Sequence, residues 1–158
     1  MKKKPWKTYL FSILITEAVG ALSGWLAKDA FAVFNQQAQQ PPLSPPQWVF
    51  PVVWGVLYAL MGFSAARIYL QPQSNMQRKG LNLFVVQLVV NFFWTLLFFN
   101  AQAYGFTFLW LILLWVLVLG MILTFWKVDP LAAKLQIPYL LWLTFAAYLN
   151  FGVWLLNR

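Results

Sequence analysis

Glu17 is the one carboxylate that falls deep inside a long apolar stretch of this chain. An ionisable group at bilayer depth is a functional position by default; here a protonated or backbone-paired structural role stands beside that reading. The chain contains no His and no Cys. Glu17 therefore lacks a partner for paired acid–base work, and thiol nucleophiles, disulfides and the usual Zn or haem ligands are excluded. What the chain has instead is aromatic surface: ten Trp, fifteen Phe and six Tyr, or 20% of its residues. Trp54, Trp94, Trp110, Trp115 and Trp142 lie deep in apolar runs, where an indole N–H needs an acceptor, which favours a bundle interior or a cavity over a lipid-facing site. Gln87 and Asn91 share one helix face at i, i+4. An amide at that depth either bonds another helix or anchors a ligand, and both readings stand. Asn150 reads the same way, with Asn91–Asn150 an expected interhelical pair. Asp29 and Asp129, close to Lys28 and Lys127, read as surface charges.

The elements that must position these residues follow from composition. Of 158 residues, 62% are hydrophobic and 9% charged, where a soluble domain is about a quarter charged. A soluble globule, a disordered chain and a coiled coil are all excluded. A transmembrane helix takes about 20 mostly apolar residues, so the apolar stock covers roughly five spans and leaves no room for a second domain. The expected fold is an all-α integral membrane protein, a single-domain bundle of five transmembrane helices. The spans are expected at 6–27, 46–70, 81–100, 106–126 and 130–156, with a polar, proline-bearing loop at 28–45. The first span is too long for a signal peptide and carries Glu17, so it is read as retained. Pro46 and Pro51 are placed in the first turns of the second span, where a missing N–H costs little. Pro72 marks its stop and Pro138 a kink in the fifth. No span alternates as a barrel strand does, and no internal repeat supports an inverted-repeat transporter. Gly20 and Gly24 form a GxxxG pair that permits close helix approach, within one chain or between two.

The net charge of +8 does not call for nucleic acid. Lys2, Lys3, Lys4, Lys7, Arg67, Arg78, Lys79, Lys127 and Lys134 fall on one side of the five spans, and only Lys28 and Arg158 on the other. That asymmetry predicts a cytoplasmic N-terminus, with the first loop and the C-terminus on the opposite side. Trp6, Trp25, Trp126 and Trp154, near span ends, read as interfacial belt residues.

Residues 45–62, Pro-Pro-Gln-Trp-Val-Phe-Pro-Val-Val-Trp-Gly-Val-Leu-Tyr-Ala-Leu-Met-Gly, resemble the signature of the TspO/MBR family, the tryptophan-rich sensory proteins and mitochondrial translocator proteins. Two further blocks, from Gln87 to Trp94 with Phe98-Phe99, and from Asp129 to Trp142 with Phe145-Ala146 and Leu149-Asn150, resemble the family in the same order and spacing. The resemblance implies a five-helix bundle, usually a homodimer in the bilayer. Its pocket opens beneath the first loop, which serves as a lid, and takes porphyrins and, in some members, sterols or isoquinoline- and benzodiazepine-type drugs. It implies that Trp54 and Trp142 are the two pocket tryptophans linked to porphyrin binding and its light-dependent breakdown, the only candidates for a catalytic role. Phe50, Pro51, Tyr58, Gln87, Asn91, Trp94, Phe106, Leu109, Phe145, Ala146 and Leu149 match other pocket-lining positions. No cofactor and no metal is implied.

The physical chemistry agrees with that use, since a flat apolar macrocycle wants aromatic faces around it and a few polar anchors. Lys28 and the Gln-rich loop are candidates to meet its propionates. The family's loop-one Trp-Tyr and Lys-Pro-Ser-Trp are replaced here by Phe34-Asn35 and Gln40-Pro41-Pro42-Leu43, and no forward sterol-type motif is present. Three functions compete: a tetrapyrrole-binding sensor or transporter, which is favoured; a light-dependent porphyrin-degrading enzyme; and a structural or interaction protein whose aromatics only pack.

Overall fold

The computed structural model describes residues 5–158; Lys2, Lys3 and Lys4, which enter the charge asymmetry, lie outside the described residues. The chain runs through α1 (Pro5–Gln37), α2 (Val49–Tyr69), α3 (Asn75–Thr95) continued by a π-helical turn (Leu96–Asn100), α4 (Tyr104–Val128), a short α5 (Pro130–Leu135) and α6 (Ile137–Asn157). Five helical segments among the described residues are long and apolar enough to cross a membrane, the fifth being α5 and α6 together. The all-α, five-span expectation is met.

Boundaries differ where polar residues mimic a membrane edge. α1 has 33 residues, about 50 Å of helix, and runs ten residues past the expected end at Ala27. Lys28 and Asp29 sit on its exposed side, while Phe34 is buried against Phe98 at 5.2 Å and Phe99 at 5.3 Å. That buried aromatic face keeps the helix going, so the connecting loop is 38–48 and not 28–45. Pro46 lies in this loop ahead of α2, its carbonyl accepting from the Val49 N–H at 3.0 Å; only Pro51 falls in the first turn. α3 starts at Asn75, six residues before the expected Leu81, because Ser74 caps it by accepting from the Gln77 N–H at 3.0 Å. In the fifth span the break falls at Gln136, with Pro138 already in the first turn of α6.

α4 is the packing spine. Leu111, Leu114, Val118, Met121 and Phe125 are essentially fully buried and recur every three or four residues, the spacing of one helix face. α1 and α2 meet closely in their lower halves. Ser12 donates to the Gly62 carbonyl and Thr16 to the Tyr58 carbonyl, each at 2.7 Å. Gly62 makes this approach achievable, since a Cβ there would stand 2.5 Å from Ile13 Cα. Within a bilayer, such close packing and interhelical bonds drive helix association. Of the GxxxG pair, Gly20 packs against the Tyr58 ring of α2, whereas Gly24 meets nothing within 4 Å.

At the end of the bundle away from the loop, Asp129 corrects its reading as a surface charge. It is 8% exposed and accepts from Arg67 Nε at 2.6 Å and from Nη2 at 3.3 Å, tying the α4–α5 junction to α2. Asp29 is exposed as expected. Lys7, Lys28, Lys134 and Arg158 lie over the rings of Trp6, Trp25, Trp126 and Trp154 at 5.4–5.7 Å, a cation–π placement; with α1 continuing to Gln37, Trp25 no longer stands at a helix end.

Candidate functional site

A cavity of about 500 Å³ opens inside the bundle beneath loop 38–48, within the size range of small-molecule sites. α2 contributes Phe50, Pro51, Trp54 and Tyr58 at helical spacing, and α6 contributes Trp142, Ala146 and Leu149. The α3 end adds Trp94, and the π-turn adds Phe98 and Phe99 side by side. π-turns of this kind recur at functional sites. α1 lines the remaining side with Glu17, Gly20, Ala21, Gly24, Ala27, Lys28, Phe31 and Phe34, positions three and four apart on one face. Gln40 and Ser44 close the loop end.

Aromatic rings dominate the walls. Trp94 stacks on Phe98 at 5.2 Å, Phe50 meets Trp142 edge-on at 6.0 Å, and Trp54 lies 5.6 Å from Tyr58. Polar groups are confined to Glu17 and Ser23 on α1, Thr95 and Asn150 at the far wall, and Lys28, Gln40 and Ser44 toward the loop.

Behind Trp54, a buried chain of hydrogen bonds holds the wall. Tyr58 donates to Asn91 Oδ1 at 3.2 Å, Asn91 Nδ2 donates to the Tyr139 hydroxyl at 2.7 Å, and Tyr139 donates to Gln87 Oε1 at 2.8 Å. The chain links α2, α3 and α6, and fixes the orientation of both tyrosines against which Trp54 packs. Asn150 works separately, accepting from Trp94 Nε1 at 3.2 Å and donating to the Tyr104 carbonyl at 2.8 Å. The expected Asn91–Asn150 pair is therefore not formed; each amide has a nearer aromatic partner. Trp110 and Trp115 also find acceptors, the Val90 carbonyl at 2.8 Å and Thr144 Oγ1 at 2.9 Å. Trp142 Nε1 is buried with no acceptor among the described residues.

Of the site residues expected from sequence, Phe50, Pro51, Trp54, Tyr58, Trp94, Trp142, Ala146 and Leu149 come together on the cavity wall. Gln87 and Asn91 lie one layer behind, in the tyrosine chain. Phe145 packs on Trp142 at 5.6 Å without joining the wall. Phe106 and Leu109 do not line this cavity: they are 56% and 66% exposed, turned away from the α4 face that carries Leu111 and Leu114. On α1, Glu17 was singled out as a functional candidate and Lys28 as a mouth residue, but the rest of the α1 wall was not anticipated; Phe98 and Phe99 were noted only as part of a family-like block and not as site residues. The stripe from Gly20 through Ala27 to Phe34 carries a helical period that continuing α1 past Lys28 brings into view.

Comparison with known proteins decides the family. The model of the TspO/MBR family matches residues 12–155. The chain belongs to the TspO/MBR family. Protein CrtK of Rhodobacter capsulatus is 42% identical over 120 residues, 75% of each chain. The translocator protein of Sus scrofa is 38% identical over 156 residues, 98% of this chain and 92% of its own. The tryptophan-rich sensory protein of Cereibacter sphaeroides is 34% identical over 118 residues, 75% of this chain and 73% of its own. This TspO/MBR protein is accordingly a multi-pass membrane protein. The α2, α3 and α6 walls of its cavity are formed largely by residues within the blocks through which the chain resembles the family.

Proposed function

We propose that the cavity binds tetrapyrroles of the protoporphyrin IX type, and similar flat hydrophobic ligands, as the binding step of a sensor or transporter. The observation that carries this reading is the aromatic wall: Trp54, Trp142, Trp94 and Phe50 bound a space of about 500 Å³, with only a few polar groups among them. Ring faces hold a flat macrocycle by stacking and edge contacts, and Lys28, Gln40 and Ser44 supply donors for carboxylates at the mouth. The N-terminus is cytoplasmic in this proposal, supported by Lys7, Arg78, Lys79 and Lys127 near one end of the spans against Lys28 and Arg158 near the other. The assembly proposed is a homodimer, as the family resemblance implies.

Titration of protoporphyrin IX into the protein in detergent, followed by Trp fluorescence, tests the binding step. Saturable quenching supports it, and quenching that rises linearly without saturation refutes it. Iron should add nothing. The chain has no His or Cys, the residues that most often ligate haem iron. Protoporphyrin IX is therefore expected to bind at least as tightly as haem. A haem affinity far above it, with a strong-field axial spectrum, would contradict this pocket chemistry.

A second reading, photochemical breakdown of the bound porphyrin, is favoured by the placement of Trp54 within 5.6 Å of Tyr58 and 6.2 Å of Tyr139, a cluster of electron-rich rings at the cavity wall. Illumination of the complex separates the two. Product formation in the wild type that disappears in Trp142→Phe supports breakdown; porphyrin recovered unchanged supports binding alone.

A further inference from the structure

The walls of the cavity are not equally closed. Between α1 and the π-turn, Asn100 Nδ2 donates to the Leu26 carbonyl at 3.1 Å and Phe31 meets Phe99 edge-on at 5.3 Å. Between α3 and α6, Trp94 is bonded to Asn150, and between α2 and α6, Phe50 covers Trp142. The loop above is fastened to α6. Asn157 accepts from the Gln39 N–H at 3.0 Å and donates to the Gln39 carbonyl at 2.7 Å, and Tyr148 donates to the Pro42 carbonyl at 2.6 Å.

The α1–α2 seam is different. Its lower half is closed, ending where Gly20 lies against the Tyr58 ring. Above that point each helix presents a glycine to the cavity, Gly24 on α1 and Gly55 on α2. Both line the cavity, and a Cβ on either would meet no atom within 4 Å. Ala21 and Pro51 line the cavity yet are exposed. The seam closes again where Phe31 meets Phe50 at 6.1 Å. From Gly20 to Phe31 is about 16 Å of helix, at roughly 1.5 Å per residue.

We infer that this stretch of seam is a lateral portal, a slot in the lipid-facing wall through which flat apolar ligands pass edge-on between the bilayer and the cavity. A single aromatic layer needs about 7 Å between facing atoms, twice a carbon–carbon contact of roughly 3.5 Å, and no side chain spans the gap at Gly24 and Gly55. Lys28 stands near the upper edge of the slot, where its ammonium meets ligand carboxylates held in the headgroup region while the ring passes. Entry from water beneath the loop would instead break the Asn157–Gln39 and Tyr148–Pro42 bonds. The portal goes beyond the tetrapyrrole reading and serves any flat apolar ligand dissolved in the membrane.

The absence of Cys makes the test direct. Ser23→Cys places a single thiol on the buried cavity wall. The full chain in proteoliposomes is reacted with N-(1-pyrenyl)maleimide, a flat aromatic reagent that dissolves in the bilayer, and with a sulfonated maleimide confined to water. The portal predicts rapid pyrene labelling, slowed by about tenfold or more when Gly24→Leu and Gly55→Leu are added, a barrier change of about 1.4 kcal/mol. Labelling is expected to be unchanged by Asn157→Ala with Tyr148→Phe, which loosen the loop. Gly24→Ala with Gly55→Ala provides a milder obstruction, with a smaller slowing, should the leucine pair not fold. Absent pyrene labelling, unchanged labelling of the obstructed but folded protein, or faster pyrene labelling once the loop is loosened overturns the proposal. No porphyrin enters this experiment, so its outcome and that of the porphyrin titration register separately.

Discussion

Gly62→Val is expected to separate α1 from α2 and lower stability by about 3 kcal/mol, the upper range for overpacking a closed contact. A Cβ at this position would lie 2.5 Å from Ile13 Cα, 2.8 Å from Ile13 N and 2.7 Å from Thr16 Oγ1. Two of those three atoms are backbone, which cannot rotate aside as a side chain can. The helices must move apart, and the bonds from Ser12 to the Gly62 carbonyl and from Thr16 to the Tyr58 carbonyl would stretch with them. Gly24→Ala is the internal control, since its Cβ meets nothing within 4 Å and alanine is the better helix former by up to about 1 kcal/mol. Thermal unfolding in detergent checks both. A Gly62→Val protein as stable as the Gly24→Ala protein would show that this seam is looser than described.

The second large effect is expected at Asn91. Asn91→Leu removes the acceptor of the Tyr58 hydroxyl and one donor to Tyr139. Tyr139 keeps its bond to Gln87, but Tyr58, 5% exposed, loses its acceptor on α3 and keeps only Ser23 of α1 as a side-chain hydrogen-bond partner. A buried donor deprived of its acceptor costs about 1–3 kcal/mol, and interhelical bonds in membranes measure at the lower end of that range; with Ser23 still in reach, a loss of about 1–2 kcal/mol is expected. The hydroxyl, and not the lost volume, is the stated cause, so Tyr58→Phe in the same chain should restore part of the loss. A double-mutant cycle with a coupling of about 1 kcal/mol is the expected signature, and strict additivity would contradict it. Ligand affinity should fall as well, because Trp54 packs on both tyrosines.

These residues also indicate what could be read from the chain and what could not. Five spans were legible because each is a long apolar run, and Trp54 and Trp142 stood out because their surrounding motifs are specific. Gln87 and Asn91 were legible as amides needing partners, but the partners are tyrosines 33 to 52 positions away, which no local pattern indicates. The Arg67–Asp129 pair was missed for the same reason: its members are 62 residues apart, and Asp129 beside Lys127 mimics a solvated turn. Lys28 and Asp29 hid the continuation of α1, although Phe31 and Phe34 lie three and six positions beyond Lys28 and turn inward. Phe106 and Leu109 fall off the cavity wall, since matched positions carry a side chain's address and not the rotation of its helix.

The proposed function requires that Trp54 and Trp142 hold a flat ligand and do more than fill space. The most direct measurement is a protoporphyrin IX titration of the wild type against Trp54→Ala with Trp142→Ala in the same detergent, following the quenching of the remaining tryptophans. The predicted result is saturable quenching in the wild type and at least about thirtyfold weaker binding in the double variant, from roughly 1–2 kcal/mol lost at each ring face. Quenching that is the same in both proteins and never saturates would contradict the account, reducing the aromatic wall to packing and the porphyrin to a passenger of the detergent.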